Sequence, residues 1–384
     1  MTLFRNFNRF FNKFLRQPGY ALSVGFKRLR AFFYYYFGKG KSSYPEAVTL
    51  FLTHKCNLRC KMCGQWGESG VTKKQSIQFI KEELSLQQLQ SIIDDVSTFK
   101  PNITLFGGEP LIYPHCIDLI KYIKQKKMHC LIITNGFLLE ELAQDIVESG
   151  LDELNVSLDG NAALHNEIRG MSGLFEKIMQ GLKRINILKA ERKSRTPFIN
   201  LQCTITKYNY RYLEQLLDVA NEARANSLTF HNLIFITPEI LNRQKEFDKV
   251  LSCSSSDWQG FAFEPEIDVE ILHQKMKDIL KTKHNFSIDF YPNFSYAELK
   301  DYYGNPYYHP RQYSGRCLSP WIVAYVFPDG HVRPCLNSTY SFGNVKEANF
   351  MKIWNSQEAI RFRKILKENK IFPACVRCTE LYRY

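Results

Sequence analysis

Between Glu46 and about Leu233 the chain alternates short apolar runs with longer stretches in which apolar residues recur every third or fourth position. The short runs suit buried strands, and the longer ones suit helices that turn one face to a core. Residues 48–53, 103–106, 130–134, 153–158, 199–205 and 228–233 read as strands, with helices at 86–99, 115–126, 139–149, 175–189 and 213–225 between them. Six strand-helix units of this kind predict parallel strands joined by crossovers, an α/β class. Past Leu233 the rhythm changes. A helix at 269–281, a strand-like 287–291 and a tyrosine-rich loop at 296–313 precede a hairpin that turns at Pro328-Asp329-Gly330, followed by a helical stretch at 352–366.

The first 45 residues carry a different pattern. Leu3, Phe4, Phe7, Phe10, Phe11, Phe14 and Leu15 share one side of a helical wheel, with Arg5, Arg9, Lys13 and Arg16 on the other. After Pro18-Gly19 the pattern restarts, with Leu22, Phe26, Leu29, Phe33 and Tyr36 set against Lys27 and Arg30. Charges interrupt each apolar run well before a bilayer-spanning length, and no signal-peptide core or small-residue cleavage site is present. A basic face opposite a phenylalanine-rich one predicts helices lying on an anionic membrane surface; helices packed on the outside of the α/β body fit the same pattern.

Charge sharpens this division. Of the net +13, the nine Lys and Arg of residues 1–45, which include no acid, supply +9, leaving +4 for the remaining 339 residues. A nearly balanced body argues against an extended nucleic-acid groove. The eleven cysteines fall into two clusters and four scattered singles, which points to metal in a reducing cytoplasm rather than to disulfides. Cys116, Cys130 and Cys203 read as small buried hydrophobes, and Cys253 as an odd thiol in a polar loop.

Candidate chemistry begins at Cys56-Asn57-Leu58-Arg59-Cys60-Lys61-Met62-Cys63, directly after the first strand. Thiolates spaced C-x3-C-x2-C select an iron-sulfur cluster or zinc. Three local ligands leave one iron of a 4Fe-4S cube open to a group that is not protein. His54, the nearby candidate for a fourth zinc ligand, reads as packed instead. The loop resembles that of the radical S-adenosylmethionine enzymes, and the likeness continues in the family's order. Phe106-Gly107-Gly108-Glu109-Pro110 is similar to the family's GGEP turn, Ile132-Ile133-Thr134-Asn135-Gly136 to its third strand and turn, and Val156-Ser157-Leu158-Asp159-Gly160 with His165 to Gly170 to the next. The resemblance implies a partial, open (β/α)6 TIM-like barrel. It also implies an S-adenosylmethionine site in which Gly107, Gly108 and Glu109 meet the methionine ammonium, Asn135 lies at the third turn, Ser157 and Asp159 lie near the ribose, and Arg169 lies near the methionine carboxylate.

The C-terminal pattern, Cys317 and Cys335 about a C-x12-G-x4-C hairpin, then Phe342-Gly343-Asn344-Val345, Ile353-Trp354 and a closing Cys375-Val376-Arg377-Cys378, resembles a shortened, twitch-like SPASM domain. Four thiols suit a zinc ribbon as well as a cluster; beside the first motif the iron-sulfur reading is preferred. It implies an auxiliary 4Fe-4S cluster with no open site, suited to moving electrons. The expected organisation is a basic amphipathic segment (1–45), the radical core barrel (46–235), a connecting region (236–312) and a small α+β iron-sulfur domain (313–384). The resemblance implies reductive cleavage of S-adenosylmethionine to a 5'-deoxyadenosyl radical and hydrogen abstraction from a small-molecule or membrane-tethered substrate. The substrate would be oxidised through the auxiliary cluster, with flavodoxin or ferredoxin as reductant. Peptide maturation and plain electron carriage are the alternatives; an electron carrier has no need of a cofactor pocket.

Overall fold

The computed structural model describes residues 18–310 and 315–384, so the first expected helix, Leu3 to Arg16, lies outside the described residues. The strands are β1 (Ala47–Phe51), β2 (Asn102–Phe106), β3 (Cys130–Thr134), β4 (Glu153–Ser157), β5 (Phe198–Thr204), β6 (Ser227–His231), β7 (Ser287–Tyr291), β8 (Val323–Val326), β9 (His331–Arg333) and β10 (Gly343–Asn344). They form one open sheet in the order β10-β9-β8-β1-β2-β3-β4-β5-β6-β7. Strands β1 to β7 run parallel, as the alternation predicts, and form the partial TIM-like barrel that the resemblance implies.

The sheet extends beyond the six expected strands on both edges. The strand-like 287–291 becomes β7, a seventh parallel strand in register with β6 from Ser227↔Ser287 to His231↔Tyr291. On the other edge β8, the first arm of the C-terminal hairpin, pairs in parallel with β1 from Ala47↔Val323 to Leu50↔Val326. An unpaired β1 edge would leave a row of backbone donors and acceptors without partners; the C-terminal unit supplies them. At the far side the Tyr291 hydroxyl at the end of β7 donates to the Thr379 carbonyl at 2.6 Å, so the last residues of the chain reach the opposite edge.

Burial alternates along β2 to β6. Ile103, Leu105, Ile132, Leu154, Val156, Ile199, Leu201, Leu228 and Phe230 are fully buried on the face the crossover helices cover, as are Cys130 and Cys203. The intervening positions of β4 to β6 are half-exposed and, apart from Phe198, polar: Glu153, Asn155, Ser157, Asn200, Gln202, Thr204, Ser227, Thr229 and His231. Right-handed crossovers put helices on one face of the curved sheet, so this polar set faces its interior. The helices form for local reasons. Leu86–Val96, for example, starts at a capping box between Ser85 and Gln88 and buries Leu89, Ile92, Ile93 and Val96.

Two C-terminal elements differ from expectation. Within the tyrosine-rich stretch, Tyr296–Gly304 is a helix with a Ser295/Glu298 capping box instead of a loop; Tyr302 and Tyr303 turn inward, Tyr302 under Arg377 and Tyr303 against Phe235, while Tyr296 stays exposed. The helical stretch at 352–366 is two helices, Phe350–Trp354 and Gln357–Asn369, because Ser356 caps the second and donates through Oγ to the Phe342 carbonyl at 2.7 Å. Arg363, fully buried, lies 4.3 Å over the Trp354 ring and donates to the Pro320 carbonyl at 2.8 Å.

Pro18–Phe37 is a helix packed at the base of the sheet. Ala31 and Tyr35 face inward, the Tyr35 ring 4.9 Å from that of Trp321, and Arg28 pairs with Glu46 at 3.0 Å. Its other face leaves Phe26, Leu29, Phe33, Tyr36 and Phe37 exposed. Among the described residues no helix is long and apolar enough to cross a membrane.

Candidate active site

The loop after β1 is built against the turn after β2. Leu52 N–H donates to the Phe106 carbonyl, Gly108 N–H to that of Thr53 and Glu109 N–H to that of Lys55, each at 2.8 Å, so the ladder continues past the strands. A Cβ on Gly107 would stand 2.7 Å from the Thr53 oxygen, and one on Gly108 would stand 2.6 Å from the His54 oxygen and overlap the Lys55 carbonyl. Only glycine admits so close an approach.

Glu109 closes this turn. It is 1% exposed, and its carboxylate accepts from Leu111 N–H at 3.1 Å, Thr134 Oγ1 at 2.7 Å and Asn135 N–H at 2.7 Å. Burial pushes its carboxyl up to about 7 against the pull of these donors. The carboxylate thus ties the β2 turn to the β3 turn. Asn135 carries the tie onward, its Nδ2 donating to Asn57 Oδ1 at 2.8 Å and approaching Cys56 Sγ at 3.9 Å.

A second tie comes from β4. Asp159, 1% exposed, accepts from Arg169 Nε at 2.6 Å and from Thr204 N–H at 3.0 Å. Arg169 Nη1 reaches Cys60 Sγ at 3.9 Å. Burial opposes the guanidinium charge, but Asp159 and the Cys60 sulfur outweigh it and raise the Arg169 pKa. The helix Ala162–Arg169 ends at Gly170, and Lys61 N–H donates to the Ile168 carbonyl at 2.9 Å, which docks this helix end on the cysteine loop. Ser157 ends β4 on the half-exposed interior face, opposite Gln202.

All three sulfurs of the loop accept a donor: Cys56 from Leu58 N–H at 3.5 Å, Cys63 from Trp66 N–H at 3.3 Å and Cys60 from Arg169. Burial pushes the Cys56 thiol up to about 11 and raises that of Cys60. Three sulfurs brought onto one loop, each with an N–H donor aimed at it, fit the thiolate ligands of a soft metal centre. His54 is no fourth ligand here. It stacks on Phe79 at 4.3 Å, and burial lowers its pKa to about 4.

The four C-terminal cysteines meet elsewhere. Cys317 precedes β8, Cys335 follows β9, and Cys375 and Cys378 lie on one tight turn in which Cys378 N–H donates to the Cys375 carbonyl at 3.0 Å. All four line a cavity of about 130 Å³ together with Cys253, Trp258 and Tyr325. Cys317 and Cys375 share a hydrogen bond, which with burial holds the Cys317 thiol up and draws that of Cys375 down; burial pushes Cys335 up to about 12. An all-sulfur donor set suits an iron-sulfur cluster or zinc. Among the described residues no three His, Cys, Asp or Glu side chains converge on one point as ligands of a single ion do; the ligands of a four-iron cube sit on separate irons.

Other contributors carry weaker sequence signals. Asn209, 1% exposed, donates to the Asp159 carbonyl at 3.0 Å and to that of Thr204 at 2.9 Å, with no motif to mark it. The interior set did leave a signal. Asn200 donates to Asn155 at 2.9 Å, accepts from Ser227 at 2.8 Å, and His231 bonds Gln202. Strands of a parallel sheet covered on both faces should read as continuous apolar runs, so the polar residues at nearly every second position of β4 to β6 mark a polar interior.

A model of the radical SAM superfamily matches residues 50–220, and one of the SPASM iron-sulfur cluster-binding domain matches residues 317–379. Over 356 residues the chain is 26% identical to the tungsten-containing aldehyde ferredoxin oxidoreductase cofactor-modifying protein of Pyrococcus furiosus, covering 86% of each chain. It is 27% identical over 343 residues to the AdoMet-dependent heme synthase of Methanosarcina barkeri, covering 87% of this chain and 88% of that one. Among solved structures, SuiB of Streptococcus suis bound to S-adenosylmethionine matches with a TM-score of 0.59 at 14% identity, covering 85% of this chain and 69% of that one, a likeness of fold alone.

Proposed function

We propose, from the premise that this chain is a radical SAM enzyme with a C-terminal SPASM iron-sulfur domain, that it oxidises a small organic molecule held in the polar interior of its barrel. In this reading Cys56, Cys60 and Cys63 hold the 4Fe-4S cluster that takes S-adenosylmethionine, and Cys317, Cys335, Cys375 and Cys378 hold the auxiliary cluster. When bound, the first cluster and its nucleotide supply a 5'-deoxyadenosyl radical able to take a hydrogen atom from an unactivated C–H bond. The chain's own residues orient and enclose. Gly107 and Gly108 keep the β2 turn flush with the cysteine loop, Glu109 and Asn135 brace it from one side, and Asp159 and Arg169 brace it from the other. Ser157 faces the interior where a ribose would lie.

The observation that carries this reading is the donor on each of the three loop sulfurs. The preference for a small molecule rests on the polar faces of β4 to β6 and on two relatives that match most of this chain and are named for work on heme and on an enzyme cofactor. Electrons would come from a protein such as flavodoxin or ferredoxin. Anaerobic reconstitution should give about eight irons per chain from two four-iron clusters, and reduction should release 5'-deoxyadenosine. A Cys56→Ala, Cys60→Ala, Cys63→Ala variant should keep about half the iron and release none. Zinc at the second site would overturn the electron-accepting role given to it.

The exposed stripe Phe26, Leu29, Phe33, Tyr36 and Phe37 favours a membrane location in addition. Exposed Arg30, Lys39 and Lys41 stand near it, and the basic stretch before residue 18 adds charge of the same sign. Aromatic side chains flanked by cations suit an anionic lipid surface. A Phe26→Glu, Leu29→Glu, Phe33→Glu variant should lose co-sedimentation with phosphatidylglycerol vesicles; binding equal to the parent would discard the membrane location and leave the chemistry untouched.

A further inference from the structure

Nine residues join the two cysteine sites. At one end Cys253 follows the helix Pro238–Leu251 and lines the cavity of the four C-terminal thiols. Asp248 of that helix fixes the turn, its carboxylate accepting from Ser255 N–H and Ser255 Oγ, both at 2.8 Å. The turn is laced to the segment after Cys335. Ser254 N–H donates to Thr339 Oγ1 and Thr339 N–H to the Ser254 carbonyl, both at 2.8 Å, while Ser338 Oγ approaches Cys253 Sγ at 3.7 Å.

The other end presses on the first cysteine loop. Trp258, 6% exposed, lines the same cavity, and its ring lies 5.9 Å from that of Phe261. Phe261 covers Gly64, the residue after Cys63; a Cβ on Gly64 would stand 2.7 Å from one ring carbon and overlap others. Gly260 is closer still, since a Cβ there would overlap the Gly64 carbonyl oxygen and lie 2.7 Å from its carbon. A glycine-on-glycine contact has no side chain to absorb movement, so a shift at one end passes to the other.

We propose that residues 253–261 are a coupling strut, through which occupancy of the auxiliary site sets the position of the loop that carries Cys63, with Trp258 and Gly260 as its positioning residues. This rests on the proposal that Cys317, Cys335, Cys375 and Cys378 hold a cluster. The filled cavity gives Trp258 and the Cys253 turn a rigid wall, and the strut holds residues 63–67 against it. In that loop Gly67 N–H donates to the Cys63 carbonyl at 2.8 Å and Trp66 N–H to the Cys63 sulfur at 3.3 Å, so the backbone held by the strut is the backbone that aims a donor at the ligand.

The test uses the full chain as the Cys56→Ala, Cys60→Ala, Cys63→Ala variant, which isolates the auxiliary site. Hydrogen exchange of a peptide spanning 60–70 is compared with that site loaded and after its iron is stripped by chelation. Loading should slow exchange there by at least about tenfold, the scale of a modest local opening energy. Adding Trp258→Phe should preserve the difference, whereas Trp258→Ser or Gly260→Ala should erase it with the auxiliary iron retained. Equal exchange in loaded and stripped protein would overturn the strut. Failure of the auxiliary site to take up iron would overturn the cluster assignment itself, and the iron count separates the two outcomes.

Discussion

Arg169 donates to two partners at once, the Asp159 carboxylate and the Cys60 sulfur, in a buried site. Removing one member of a buried pair leaves the other charge without compensation, which costs about 3–5 kcal/mol. Arg169→Gln should therefore lower the unfolding free energy of the apoprotein in urea by that margin, and Asp159→Asn, which leaves the guanidinium without its counter-charge, should lower it on the same scale. His165 lies behind the same pair, fully buried, its Nδ1 accepting from Asp159 N–H at 3.2 Å. Burial, with Arg169 nearby, lowers its pKa to about 4 from an ordinary 6.5. The unfolded chain then takes up the proton first as pH falls, so stability drops between pH 6.5 and about 4 by up to roughly 3 kcal/mol from this group. Apoprotein unfolding measured across that window should show a shallower fall in His165→Gln. His54, lowered in the same direction, keeps part of the slope.

At the scale of elements, the turn after β2 depends on missing side chains. Gly108→Ala forces the cysteine loop away from the turn, an overpacking cost of about 1–3 kcal/mol. The sheet should survive by circular dichroism while iron at the first site is lost and auxiliary iron stays. The elements that carry this turn were legible because β1 to β3 are short apolar runs and β4 to β6 bury every second, apolar position, each flanked by a helical period. What sequence could not show was pairing at the sheet edges. Residues 287–291 look like any isolated strand, and only the closing geometry makes them β7; likewise nothing local marks β8 as the parallel neighbour of β1 instead of an arm of a separate hairpin. The tyrosines of Tyr296–Gly304 hid a helix because Tyr302 and Tyr303 are buried through tertiary packing, Tyr302 under Arg377, whose burial no local pattern announces. At the site, the cysteines and glycines stood out by spacing, whereas Asn209 and Trp258 act through tertiary contacts alone.

Over the whole molecule, one sheet runs from the C-terminal hairpin through β1 to β7, and the chain end returns to Tyr291. The barrel and the iron-sulfur region share strand pairing, so they should unfold together. A chain ending at residue 312 would bare the β1 edge and the face that Trp321 and Trp354 cover, both of which are buried. It should aggregate or lose its near-ultraviolet dichroism; a truncated protein with native spectra and an unchanged melting temperature would show that the barrel stands alone.

The helix Pro18–Phe37 is pinned by Arg28 to Glu46, one residue before β1, and by Lys27 to the Lys100 carbonyl, just before β2. Those are the starts of the strands, and the cysteine loop lies past their ends. An enzyme resting on lipid through this helix would stand on its foot with its mouth turned to the water. Its fuel and its electron donor could then dock unhindered, and the molecule it alters would come to it from solution.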